Sequence, residues 1–198
     1  MAPLFVVTEH PSFLDSERVA HYERIRARLE AVAGAAVESR HYLELGKPNG
    51  AEALVLSGSF APWAAHDPDA LARLGEVVRG YDGPVLGICA GMQLQATFAG
   101  GTVAKARGGS EEGYRTIDVL EGDGLLEGLS RRATVYQHHT DEIAVLPDGF
   151  EVLATSPECP VQAIVDRGRS WWGTQFHPEE FDAEHPAGER VLRNFFAL

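Results

Sequence analysis

The sequence predicts an α/β fold, a three-layer sandwich with a mostly parallel central sheet and antiparallel additions in its C-terminal half. Two observations carry this. Up to residue 98, short apolar runs alternate with amphipathic stretches of helical period. So brief an alternation implies parallel strands joined by right-handed crossovers. From Thr102 onward the texture changes to short strand-like runs punctuated by Gly, Pro and Asp, a pattern that suits antiparallel pairing.

Taken in order, "LFVVT" (Leu4 to Thr8) reads as a buried first strand, because a parallel strand covered on both faces is a continuous apolar run. Ser16 then offers a helix cap, and Val19, Tyr22, Ile25, Leu29 and Val32 recur every three or four residues until Gly34 stops the pattern. "AVESRHYL" and "ALVLSGS" (Ala53 to Ser59) predict the next two strands. Asp67 caps a second helix with Pro68 at its first position. "PVLGI" predicts a strand that runs into a third helix through "GMQLQATFA". "TVAKA", "YRTIDVL", "ATVYQHH", "FEVLATS", "VQAIVD" and "WWGTQFH" are the strand-like runs of the second half, and "PAGERVLRNFFAL", opened by Pro186, closes the chain as a helix. Of the tryptophans, Trp63 is expected to pack, and one of Trp171 and Trp172 to face the core.

The 198 residues, 44% hydrophobic and 23% charged, suit a single domain spanning 1–198. No apolar run approaches the ~20 residues of a membrane span, and the N-terminus lacks the basic segment of a signal peptide. A cytoplasmic location is therefore expected. A formal charge of −12 without a basic stripe argues against nucleic acid as a partner. Cys89 and Cys159 are too few for a disulfide framework and are expected as free thiols.

The chemistry centres on "GICAGMQ". Cys89 stands between Gly87 and Gly91, at the end of a strand and the start of a helix, with the Gly-x-nucleophile-x-Gly spacing of a nucleophile elbow. A helix mouth directs free N–H groups and positive dipole at the sulfur, favouring the nucleophilic thiolate. The bland alternative is a small buried hydrophobe. A second cluster, "GTQFHPEE", places His177 and Glu179 two residues apart around Pro178. In extended chain they share a side, so Glu179 can hold one imidazole nitrogen and leave the other free, the base-plus-orienter arrangement of an activated nucleophile. Alone, a His-Pro-Glu segment reads as a surface turn.

Together, "GICAGMQ" and "GTQFHPE" resemble the class I glutamine amidotransferase family, and the stretch "GFEVLATSPECPVQAI" is similar to amidotransferase domains of GMP synthetases. The resemblance implies a flavodoxin-like sandwich and a catalytic triad of Cys89, His177 and Glu179. It implies oxyanion donors at Gly58 and Ala90. It also implies a glutamine pocket bordered by Ser59, Gln93, His138 and His139, with Asp141 in the pocket or facing a partner; the segment "RGGSEEGY" reads as a flexible loop near the site, which puts Tyr114 in the pocket or facing a partner as well. The substrate is then L-glutamine, with no cofactor and no metal, and the ammonia passes to a separate synthetase in trans. Structural readings stand beside these: Gln93 as a solvent-facing helix residue, "HHTDEI" as a plain loop, Tyr114 as core. Histidines 138, 139 and 177 with Cys89 match no zinc spacing.

The chain departs from the family at Ser59 and Phe60, where a glycine and a proline are usual. A serine forced to positive φ is strained, so a remodelled turn or a shifted oxyanion donor is expected. The segment "TEHPSFLD" also lacks the Asp-Phe-Gly turn of GMP synthetase domains. Two other functions remain open: a stand-alone γ-glutamyl hydrolase or peptidase, and a non-catalytic binding subunit with a relic site.

Overall fold

The computed structural model of the protein describes residues 2–122 and 124–198. Its first half follows the predicted rhythm: β1 (Ala2–Val7), α1 (Ser16–Ala33), β2 (Glu38–His41), β3 (Ala51–Leu56), α2 (Pro68–Arg79), β4 (Val85–Ile88) and α3 (Ala90–Phe98). The second half contains β5 (Thr102–Lys105), β6 (Glu111–Val119), β7 (Arg132–His139), β8 (Asp141–Val145), β9 (Glu151–Thr155), β10 (Ala163–Asp166), β11 (Trp171–Thr174) and α4 (Ala187–Phe195). One sheet of nine strands runs in the order β2-β1-β3-β4-β11-β10-β9-β6-β7, and β5 pairs with β8 in a separate ribbon.

The parallel part comprises β2, β1, β3, β4 and β11; the pairings from β11 outward to β7 are antiparallel. Along β1 successive side chains alternate faces. Phe5 and Val7 join a core with Tyr22, Leu29, Leu192 and Phe195 from α1 and α4, whereas Leu4 and Val6 join Leu54, Leu74 and Leu94 on the side of α2 and α3. That alternation makes three layers. It also explains the unbroken apolar runs, since both faces of the central strands are buried.

Several expectations are corrected. Asp15, not Ser16, caps α1, its carboxylate accepting from Arg18 N–H at 2.8 Å; either residue type can do this, and the helix simply begins one residue later than its cap. Val19 belongs to the apolar period but is half exposed, because it lies at the edge of the stripe. Gly34 does end the helix, at φ 67°. "WWGTQFH" is not an antiparallel addition: β11 lies parallel to β4, with Thr174 beside Ile88. A four-residue strand carries no local mark of its neighbour's direction. The ribbon strand β8 escaped the reading because its two acidic residues hide an alternation already short. Trp171 is in the core, and Trp172 packs against Phe195.

The elbow needs both its glycines. A Cβ on Gly91 would run into the Leu56 carbonyl, and one on Gly87 into Gln95 and the backbone of α3. The expected result for Gly91→Ala is a loss of about 3 kcal/mol in a denaturant titration, the upper range for overpacking where only backbone can yield. A loss below about 0.5 kcal/mol would show that α3 slides freely against β3.

Candidate active site

Four strand ends meet at one edge of the sheet. Glu9 follows β1, Ser57–Ala61 follows β3, Cys89 follows β4, and Gln175–Glu179 follows β11. The strand order reverses between β1 and β3, and in open α/β sheets the crevice beyond such carboxyl ends is where ligands bind.

Cys89 has φ 51° and ψ −107°, a conformation that non-glycine residues adopt only where the surroundings enforce it. The enforcement is visible. Its N–H donates to Thr174 O at 2.7 Å, and its carbonyl accepts from Gln93 N–H at 3.1 Å. The sulfur thereby stands over the first turn of α3, whose leading N–H groups have no intrahelical acceptor. Acceptors for the thiol hydrogen are His138 O, at 3.8 Å, and the adjacent His177 imidazole.

His177 arrives beside Cys89 because β11 is the neighbour of β4. Its N–H donates to Tyr136 O at 2.8 Å, and its Nδ1 lies 2.8 Å from Glu179 Oε1. The expected extended backbone is instead a turn, closed by Glu180 N–H to His177 O at 3.1 Å, with Pro178 in the position that turns favour. The turn still puts both side chains on one side. Since the Glu179 carboxylate accepts, Nδ1 carries the hydrogen and Nε2 presents its lone pair. That Nε2 is buried without a partner. Burial disfavours a charged ring, but the Glu179 carboxylate and the adjacent Cys89 outweigh it and hold the imidazole's proton affinity well above its ordinary value. Glu179 is itself 1% exposed.

The turn after β3 is arranged differently from the expectation. Ser59 is not at positive φ; among the described non-glycine residues only Cys89 and Ser170 are. What shapes the turn is Glu9, fully buried, whose carboxylate accepts from Ser59 Oγ at 2.8 Å, Phe60 N–H at 2.8 Å and Ala61 N–H at 3.1 Å. It also accepts from His10 N–H at 2.9 Å and Tyr22 OH at 3.1 Å. The Gly58 carbonyl is held by Tyr22 OH and Ser57 Oγ. These bonds leave the Gly58 and Ser59 N–H groups without protein acceptors among the described residues. Gly58 must lack a side chain, for its Cβ would lie 3.1 Å from His177 Cε1.

Two cavities flank the sulfur. A void of about 20 Å³ reaches His21, Gly58, His177 and Glu179, and a cleft of about 270 Å³ reaches Gln93, Glu112, His138, His139 and Asp141. Phe60 borders both, with His138 and His21 at ring distances of 5.6 and 5.5 Å and the Arg18 guanidinium 3.4 Å above it. His138 is exposed and His139 buried, the opposite faces that adjacent strand residues must take. Burial, then His177, lowers the proton affinity of His138. Asp141 pairs with Lys105 at 2.9 Å. Gln93 is buried rather than solvent-facing, its amide bonded to Trp63, Asp141 O and Gln175. Tyr114 borders neither cavity: it stacks on His185 at 3.7 Å and donates to Glu180 O and Asp182.

Sequence reading passed over Glu9, His21 and Gln175, and marked Phe60 only as a departure in the turn. Gln175 lies inside the quoted "GTQFHPEE", so its position was a signal; Glu9 carried only its place at a strand end. Both cysteines are free thiols. Cys159 belongs to the one group, among the described residues, whose metal-ligating atoms converge: Glu111, His139 and Cys159, within 4.8 Å of one another. There His139 Nδ1 donates to Asp141 O, and its Nε2 lies 3.1 Å from Glu111 Oε2. Burial pushes the Cys159 thiol up to about 12, and it donates to Val161 O. No helix of the described residues is long and apolar enough to cross a membrane.

Comparison with known proteins shows the family. A model of the family "Glutamine amidotransferase class-I" matches residues 23–198. A subunit of glutamine-hydrolysing GMP synthase from Pyrococcus abyssi is 41% identical over 126 residues, 62% of this chain and 65% of that protein, just under two thirds of its length. The corresponding GMP synthase subunit from Thermoplasma acidophilum is 36% identical over 150 residues, 76% of this chain and 73% of that protein. A crystal structure of a putative GMP synthase subunit from Thermoplasma acidophilum superposes with a TM-score of 0.82 at 31% identity, covering all of this chain and 93% of that one.

Proposed function

Because the chain belongs to the class I glutamine amidotransferase family, we propose that it is the glutaminase subunit of an amidotransferase, releasing ammonia from L-glutamine for a separate synthetase. The observation that carries this is the meeting of a strained cysteine at a helix mouth with an imidazole whose other nitrogen is held by a buried carboxylate at 2.8 Å. That two relatives are named as one subunit of a GMP synthase supports a partner in trans.

In this reading the Cys89 sulfur attacks the side-chain carboxamide carbon, and His177 Nε2 takes the thiol proton. The tetrahedral oxyanion is met by the N–H of Ala90 and those of Gly58 and Ser59. Such donors commonly lower a barrier by about 3 kcal/mol each. The C–N bond breaks as His177 returns the proton to nitrogen, leaving a thioester and ammonia. Water, deprotonated by the same imidazole, then releases glutamate and regenerates the thiol. Glu179 keeps the ring in the required tautomer and stabilises its charged form. The cleft bordered by Gln93, His138, His139 and Asp141 receives the amino-acid end, the polar groups fixing orientation. Tyr114, away from both cavities, is left to the partner-facing role.

Labelling with a glutamine-mimicking chloroketone or diazo-ketone, followed by peptide mass mapping, is expected to modify Cys89 alone; an unmodified Cys89 refutes the reading. Turnover of γ-glutamyl peptides by the isolated chain would favour the stand-alone hydrolase. For Glu179→Gln, the expected fall in glutamine hydrolysis is about 10³-fold with KM little changed, as for loss of an orienting carboxylate. A fall under tenfold in steady-state assays would mean that Glu179 does not orient the base.

A further inference from the structure

A second side chain reaches the sulfur besides the imidazole. The Gln175 amide lies 3.5 Å from Cys89 Sγ, and Gln175 is fully buried. The two ends of an amide are alike in outline, so which of them faces the sulfur must be settled by hydrogen-bond partners. Here the partners leave one arrangement. The Trp63 indole N–H can only donate, and it lies 3.2 Å from Gln93 Oε1. The Asp141 carbonyl can only accept, and it lies 3.0 Å from Gln93 Nε2. These two fix the orientation of Gln93. The other hydrogen on Gln93 Nε2 then points to Gln175 Oε1, at 3.0 Å. With its oxygen accepting, Gln175 must turn its NH2 group to the sulfur.

We propose that Gln175 is a catalytic residue that donates an amide N–H to the Cys89 sulfur, and that Trp63, at the outer end of the chain, is a positioning residue that sets this polarity through Gln93. The proposal rests on Cys89 being the nucleophile. Its chemistry is specific to charge. A thiol needs an acceptor for its hydrogen, which the Gln175 NH2 group cannot be; the His177 imidazole and the carbonyl of His138 are the acceptors within reach. A thiolate needs donors, and it has the helix mouth and the Gln175 amide. Hydrogen bonds from a neutral donor to an ionised acceptor are about twice as strong as neutral ones. The chain Trp63, Gln93, Gln175 therefore favours the reactive form of the sulfur, and together with Asp141 O it engages both hydrogens of Gln93 Nε2 and one lone pair of its Oε1. Trp63, expected only to pack, gains a role: its indole supplies the one partner that cannot accept.

The test is the pH profile of Cys89 alkylation by iodoacetamide in the whole chain, quantified by peptide mass mapping, for the wild type, Gln175→Leu and Trp63→Phe. Gln175→Leu keeps the volume and removes the donor; at neutral pH its alkylation is expected to be about tenfold slower, with the profile displaced to higher pH. Trp63→Phe keeps an aromatic ring at a half-buried position, releases the fixed end and is expected to move the profile in the same direction by about threefold in rate, a change of the size left when one neutral hydrogen bond is lost. A merely structural role would lower the melting temperature without displacing the profile. An unchanged profile in Gln175→Leu overturns the donor role; displacement there with none in Trp63→Phe overturns the positioning role. If Gln175→Leu does not fold, Trp63→Phe decides alone, an unchanged profile overturning the proposal. Iodoacetamide needs no glutamine site, so these outcomes stand apart from the chloroketone labelling on which the glutaminase reading depends.

Discussion

Replacing Cys89 by alanine is expected to abolish glutamine-dependent amination by this chain together with the proposed synthetase partner, while leaving ammonia-dependent amination unchanged. Loss of a covalent nucleophile removes the thioester route altogether, and the expected fall is at least about 10⁴-fold. Free ammonia bypasses this chain's chemistry, so the partner's rate with ammonium salts is the internal control. The substitution removes one sulfur from a site at the sheet edge and leaves the backbone conformation equally demanding for alanine. The thermal midpoint is therefore expected within a few degrees of the wild type, the change that about 1 kcal/mol produces in a chain of this size. Retained glutamine-dependent amination in Cys89→Ala would mean that another group is the nucleophile.

The second large effect is expected at Glu9. Its carboxylate accepts five hydrogen bonds, three of them from the turn at Ser59, Phe60 and Ala61, and no water reaches its surface. Truncation in Glu9→Ala leaves those donors facing a cavity, each buried unsatisfied group costing about 1–3 kcal/mol before relaxation or entry of water. A net loss of about 3 kcal/mol is expected, a fall of about 6–12 °C in the melting temperature. Glutaminase activity should fall further than stability alone explains, by about 10²-fold, because the turn bearing the Gly58 and Ser59 N–H groups loses its anchor. Glu9→Gln should fall between, since its NH2 group meets donors where an acceptor stood. Circular dichroism melts and kcat at a temperature where all variants are folded separate the two effects. Unchanged kcat in folded Glu9→Ala would leave Glu9 with a purely structural role.

The parts of the site legible in the sequence were those written in adjacent residues. Gly87, Cys89 and Gly91 mark an elbow because a sharp strand-to-helix turn demands small neighbours at fixed spacing. His177 and Glu179 mark a base and its orienter because two residues in one turn or strand share a side. The oxyanion turn was misread in detail. A local rule treats Ser59 as a strained substitute for glycine, whereas a buried carboxylate fifty residues earlier reshapes the turn so that no positive φ is needed. Glu9 itself and His21 were silent for the same reason, each owing its place in the site to a different strand or helix. Tyr114 was drawn toward the pocket by its neighbourhood in sequence, yet the strand β6 turns its ring to the C-terminal segment.

By itself the sequence determined the layered α/β architecture, the cysteine elbow and the histidine–glutamate pair, since hydrophobic period, glycine placement and side-chain reach act over a few residues. Only the tertiary structure decided that the last strand lies parallel against β4, which sets the imidazole beside the sulfur, and that Glu9 and Gln175 close on the turn and the nucleophile. Strand neighbours are chosen by the global fit of buried faces, and that fit is a property of the whole sheet that no short stretch contains.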